Sequence, residues 1–150
     1  MDMKFMDINE YSPELKRFPE KILNKIEYHG NEYCCRQQDF IEILTYAKNV
    51  PMACIGGQIQ YQFNDATCEL WWENYDSAER KQNENWKDYC NRTVDECIKI
   101  FNVIINTVDF KEEAKNSFEY LKNKIEQGYD IEKNKMFMLY FDDSETDNYK

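Results

Sequence analysis

Val50-Pro-Met-Ala-Cys-Ile-Gly-Gly-Gln-Ile-Gln-Tyr-Gln-Phe63 is followed by a polar break, Asn64-Asp-Ala-Thr67, and then by Cys68-Glu-Leu-Trp-Trp-Glu-Asn-Tyr-Asp76. Both halves alternate, so the spacing predicts two strands of one hairpin over 51–76. Ile55, Gly57, Ile59, Tyr61 and Phe63 share one face of the first strand, and Gln58, Gln60 and Gln62 share the other. In the second strand Cys68, Leu70 and Trp72 alternate with Glu69, Trp71, Glu73 and Tyr75. A register with Phe63 opposite Cys68, Tyr61 opposite Leu70 and Ile59 opposite Trp72 makes the apolar faces coincide, as a half-buried antiparallel pair requires. The remaining face is predicted to be wet. It carries Gln58, Gln60, Glu69, Trp71, Glu73 and Tyr75, with Asp76 at its end. Amphipathic aromatics among charges are the material of protein-binding surfaces, so this face is the candidate partner-binding site.

Helical patterns surround the hairpin. Phe18-Pro-Glu-Lys21 opens a helix with Pro19 in the first turn, Ile22, Leu23 and Ile26 on its apolar side and Gly30 as its stop. A second helix is expected from about Gln38 to Lys48, with Phe40, Ile43, Leu44 and Ala47 on one face. Pro51 bars its continuation. Trp86, Cys90, Val94, Cys97, Phe101, Ile104 and Val108 recur at steps of four or three and mark a third helix. Its second half, with Ile98, Ile100, Val103 and Ile105, is apolar nearly all round, which predicts burial on several sides. Asp109-Phe-Lys-Glu112 is a capping-box-like start for a fourth helix, with Ala114, Phe118, Leu121 and Ile125 inward and Gly128 as its end. Lys135–Phe141 reads as a third strand, apolar on both faces and therefore interior. The fold expected is α+β: a small antiparallel or mixed sheet, built from the hairpin 51–76 and strand 135–141, packed with about four helices. Residues 1–150 read as one domain, with an acidic tail, 142–150, that frays.

Composition narrows the function classes. The net charge is −10, with nine acidic and seven basic side chains in residues 1–63 and twenty and twelve in residues 64–150. So acidic a C-terminal half repels phosphate, which argues against direct nucleic-acid binding and for a basic protein partner. No apolar run approaches the ~18 residues of a membrane span, and the start lacks a basic and then apolar leader. A cytoplasmic protein without membrane contact is expected, and its six cysteines should be thiols. The mix, rich in Asn, Lys, Ile and Tyr and poor in Arg and Gly, is that of an AT-rich bacterial genome.

No catalytic constellation emerges. There is no C-x-x-C, and Cys34 and Cys35 are adjacent, which suits neither a zinc knuckle nor a redox motif. Cys90 and Cys97 fall on the apolar stripe of the third helix and read as small hydrophobes. His29, the one histidine, leaves Cys35–His29 as the single candidate nucleophile pair. Glu69 and Glu73, on one strand face, lie about 13 Å apart by strand rise, too wide for a glycosidase pair. Asp142, Asp143, Glu145 and Asp147 lack the glycine and terminal glutamate of an EF-hand loop. No cofactor or metal is expected. Gly56-Gly57 marks a bulge, or a place where another side chain such as Trp72 or Trp86 crosses the sheet closely. It is also where an alternative function, a small enzyme or ligand-binding protein, would have its pocket.

Pro51-Met-Ala-Cys-Ile-Gly-Gly-Gln58, with Leu70-Trp-Trp72 downstream, in a small acidic chain without a catalytic constellation, resembles the immunity proteins of bacterial polymorphic-toxin and contact-dependent growth inhibition systems. The resemblance implies an α+β inhibitor that is not an enzyme. It would bind a cognate toxin domain, often a basic nuclease, and block its active site. A regulatory adaptor for some other protein is the remaining alternative.

Overall fold

A computed structural model of the chain describes residues 15–142. Apart from Asp142, the acidic tail lies outside the described residues. The fold is α+β, with five helices and a six-stranded antiparallel sheet. In chain order the elements are α1 (Glu20–Leu23), β1 (Glu27–His29), β2 (Glu32–Cys35), α2 (Phe40–Ala47), β3 (Ala53–Gly56), β4 (Gln58–Gln62), β5 (Thr67–Asn74), α3 (Trp86–Thr107), α4 (Phe110–Ser117), α5 (Glu119–Glu126) and β6 (Lys135–Asp142). The strand order is β1-β2-β6-β4-β5, and β3 pairs with β6 in line with β4. Strand β6 is thus interior, as its two apolar faces predict.

One sheet face carries the main core. Ile59, Tyr61 and Phe63, Cys68 and Leu70, Cys35, and Phe137 and Leu139 pack there against Phe40, Ile43 and Leu44 of α2 and Val94, Cys97, Phe101 and Ile104 of α3. The Phe40 and Phe101 rings stack at 4.1 Å and 9°, and Phe137 meets Phe101 edge-on at 5.3 Å. Thr93 ties α3 to β3, its hydroxyl accepting from the Cys54 N–H at 3.1 Å and donating to the Cys90 carbonyl at 3.0 Å. Helices α3 and α4 are each capped by a side chain at the start. Asn85 accepts from the Asp88 N–H and Asp109 from the Glu112 N–H.

The structure corrects the sequence reading in several places. Helix α1 stops at Leu23, and Glu27–Cys35 form an additional hairpin, with Glu27 opposite Cys34. Gly30, at φ +66°, is the turn of that hairpin and not a helix stop. The fourth helix is two helices, because Phe118 adopts extended backbone and turns its ring to Trp72. Helix α3 is less enclosed than expected, since Val103 is exposed and Ile98, Ile100 and Ile105 are half-buried. In the central hairpin Tyr61 faces Cys68 and Ile59 faces Leu70, a slip of two residues from the register expected. A slip of two keeps every side chain on its face. Beyond it the alternation fails, so Ile55 is exposed while Cys54 is core.

Candidate functional site

The second face of the sheet is built from the alternate side chains of the same strands. Cys34, Met136, Met138 and Tyr140 form its apolar patch. Gln60 and Gln62, expected in water, are 1% exposed. They are covered because the sheet curls. His29 Nε2 lies 3.3 Å from Thr67 Oγ1, which brings together β1 and β5, the two ends of the strand order. The buried amides are then linked in a chain. Gln62 Nε2 donates to Gln60 Oε1 at 3.1 Å, and Gln60 Nε2 donates to Glu69 Oε1 at 3.0 Å. Gln58 Nε2 reaches the same Glu69 oxygen at 3.2 Å. Gln60 also lies 3.5 Å from Glu32 Oε1, whose other oxygen accepts the Tyr140 hydroxyl at 2.7 Å.

The edge strand β5 carries a bulge. Gln58 pairs with Asn74 but the next residue, Ile59, pairs with Leu70, so Trp71, Trp72 and Glu73 have no partners on β4. The bulge pushes both indoles outward: Trp71 is 66% and Trp72 38% exposed. Their rings meet edge to face at 5.5 Å. Trp72 leans on Phe118, ring centroids 6.2 Å apart, and its Nε1 donates to Glu113 at 2.5 Å. Glu73 turns towards Glu113 on the helical side. Burial, and then a hydrogen bond and repulsion from Glu113, push its carboxyl up to about 7.

The seven candidate residues therefore divide. Glu69 and Trp71 are exposed, and Glu69 accepts from half-buried Gln58. Gln60 is buried beneath them as a link in the amide chain. Glu73 has left their face, and with it the pairing with Glu69. Tyr75 is fully buried, a correction to its predicted exposure. Its hydroxyl donates to the Met138 carbonyl, and its ring meets Phe40 edge-on at 4.8 Å. Asp76 is exposed, yet its Oδ1 is committed to the Gly57 N–H at 3.1 Å. Three neighbours that the alternation did not place at the site join it: Trp72, Glu113 and Phe118. Adjacent tryptophans were the available signal, because strict alternation sends one of any such pair to the core.

Gly56 and Gly57 behave as a crossing point. A Cβ on Gly57 would lie 2.2 Å from the Met138 carbonyl oxygen and 2.9 Å from the Tyr75 hydroxyl, and one on Gly56 would lie 2.2 Å from Asp76 Oδ1. The crossing side chain is Tyr75 rather than Trp72 or Trp86. Asp76, Tyr75 and the Met138 carbonyl occupy the space directly over the two glycines. The Cys35–His29 pair is not assembled either: Cys35 faces the helical core, and His29 stands opposite Glu32 at the curled corner. All six cysteines are buried thiols. Among the described residues no helix is long and apolar enough to cross a membrane.

Comparison with protein-family models, with curated proteins and with solved structures finds no match to this chain.

Proposed function

We propose that this chain is a non-enzymatic immunity protein that neutralises a basic cognate toxin domain, the chemistry of a nuclease, by docking the Trp71–Trp72 corner on it. The observation that carries the reading is the bulge: it holds Trp71 two-thirds in water, edge-on to Trp72, with Glu69, Glu73 and Glu113 close by. A large indole held out on a bulge gains nothing for the fold and is suited to be a desolvated anchor at the centre of an interface. The surrounding carboxylates and the net charge of −10 favour a cationic partner and speed its approach.

The test is binding kinetics against the protein encoded by the adjoining gene, where a toxin would lie, at two salt concentrations. Trp71→Ala should weaken binding by about 2 kcal/mol or more, mainly through faster dissociation. Glu69→Gln should slow association and flatten its salt dependence. Unchanged kinetics in both variants would remove this surface from the reading. Absence of any complex with the neighbouring product would leave a regulatory adaptor as the better description.

A further inference from the structure

Away from the tryptophan corner, the end of α5 meets the turn of the central hairpin, and three rings converge on one charge. Lys124 Nζ lies over the rings of Phe63, Tyr120 and Tyr129, at 5.6, 5.5 and 5.3 Å from their centroids. The rings are inclined to one another as walls. Phe63 meets Tyr120 at 5.1 Å and 66°, and Tyr129 at 5.9 Å and 52°. Each ring is held by contacts in which the Lys124 side chain has no part. Phe63 is core, 7% exposed, and its N–H donates to the Ala66 carbonyl at 2.8 Å. The Tyr120 hydroxyl donates to Asp65 Oδ1 at 2.5 Å, and the Tyr129 hydroxyl to Asn134 Oδ1 at 3.0 Å. The cage is open to water, since Tyr129 is 41% exposed and Tyr120 and Lys124 are half-buried.

This cage suits a cation of another kind better than the one it holds. Ring faces attract any ammonium group. A lysine ammonium also carries three N–H donors and is strongly hydrated. Among the described residues nothing accepts from Lys124 Nζ, and no carboxylate pairs with it. Both tyrosine hydroxyls are turned to other partners. Held by ring faces alone, on a long side chain that loses entropy when ordered, Lys124 is a weakly bound occupant. A quaternary ammonium has no N–H to satisfy and lays its methyl groups on the same faces. The surroundings favour positive charge. Lys124 stands in the last turn of α5, whose carbonyl end attracts cations. Asp65 adds a carboxylate, held below its ordinary value by the Tyr120 hydroxyl and, to a smaller degree, by the Lys124 charge.

We propose that Phe63, Tyr120 and Tyr129 form a receptor for a quaternary ammonium group, and that the Lys124 side chain fills it until such a group displaces it. Choline-type solutes and trimethylated lysine side chains carry that group alike. The proposal does not depend on the immunity reading, because the cage shares no residue with the tryptophan corner.

The experiment is titration of the full chain, ¹³C-labelled in its aromatic rings, with choline at millimolar concentration. The control is neohexyl alcohol, in which carbon replaces the choline nitrogen and removes the charge. The Tyr120 and Tyr129 ring resonances should move with choline and not with the control. Lys124→Ala removes the internal competitor and should bind choline about threefold more tightly or better. Lys124→Gln gives the same comparison should Lys124→Ala fail to fold. Adding Tyr129→Ala to either variant deletes an exposed wall and should weaken its choline binding by about threefold or more. Acetylated trimethyllysine amide, titrated in parallel, identifies the source: tighter binding than choline assigns the cage to a methylated protein side chain, weaker binding to a small solute, and either ranking supports the cage. The proposal is overturned if choline moves neither tyrosine of the unaltered chain, if the neutral control moves them equally, or if removing the Lys124 charge leaves choline affinity unchanged.

Discussion

The Tyr75 hydroxyl donates to the main-chain carbonyl of Met138 across a backbone kept bare by Gly57. A residue of β5's continuation thereby crosses its neighbour and bonds to the central strand. Tyr75→Phe keeps the ring and deletes that bond, so it should lower stability by about 1–2 kcal/mol in urea unfolding. Gly57→Ala should cost more, because its Cβ would meet a carbonyl oxygen at 2.2 Å from a backbone at φ +157°.

Phe101 lies at the centre of the core, stacked on Phe40 and edge-on to Phe137. Phe101→Ala should destabilise the fold by about 3–5 kcal/mol. A loss under about 1 kcal/mol in the same unfolding assay would contradict its central place.

The two tryptophans should separate in thermal melts. Trp71→Ala deletes an exposed ring and should change stability by no more than about 0.5 kcal/mol. Trp72→Ala removes the Phe118 stacking and the Glu113 hydrogen bond, and should cost about 1–3 kcal/mol.

Glu73 makes stability depend on pH in an unusual direction for a carboxylate. Its ordinary value is 4.5, and the fold raises it to about 7. Between those values the folded chain keeps a proton that the unfolded chain has released. Stability from this group is complete below pH 4.5 and is lost as pH rises through about 7. Glu73→Gln should abolish that decline, and above the window it should be more stable than the unaltered chain. Urea midpoints across the window measure both effects.

The thiols should be inert in the folded state. Burial pushes Cys34 up to about 12 and raises Cys35 and Cys68, while contact with Cys97 and then burial raise Cys54. Alkylation without reductant should find no rapidly reacting thiol in the native protein and six in denaturant. A reproducible intramolecular disulfide would refute this.

Much of the architecture was legible because side-chain periodicity survives errors of register. The inward positions of Ile59, Tyr61, Cys68 and Leu70 follow from alternation alone, and the slip of two residues did not disturb them. The loop was misplaced by one residue because Phe63 belongs to the turn yet remains core, packed on Tyr120 and Tyr129, while Thr67 belongs to the strand. The first hairpin carried a readable signal, Gly30-Asn31 between short apolar runs, which the helical spacing of Ile22, Leu23 and Ile26 masked. The site was harder to read. Period-two reasoning assigns every residue after a bulge to the wrong face, and so it placed Tyr75 in water and Trp72 in the core. Burial of Gln60 and Gln62 depends on the curl of the whole sheet, which no local pattern encodes.

That curl bears on how the protein keeps to itself. Unpaired strand borders recruit other chains and seed aggregation. Here β1 is three residues long and β5 is interrupted by its bulge. The contact between His29 and Thr67 brings these two borders together at one corner. Little straight, unpaired backbone is left on which a neighbouring chain could add a strand, even though a tryptophan pair stands exposed on one of those borders.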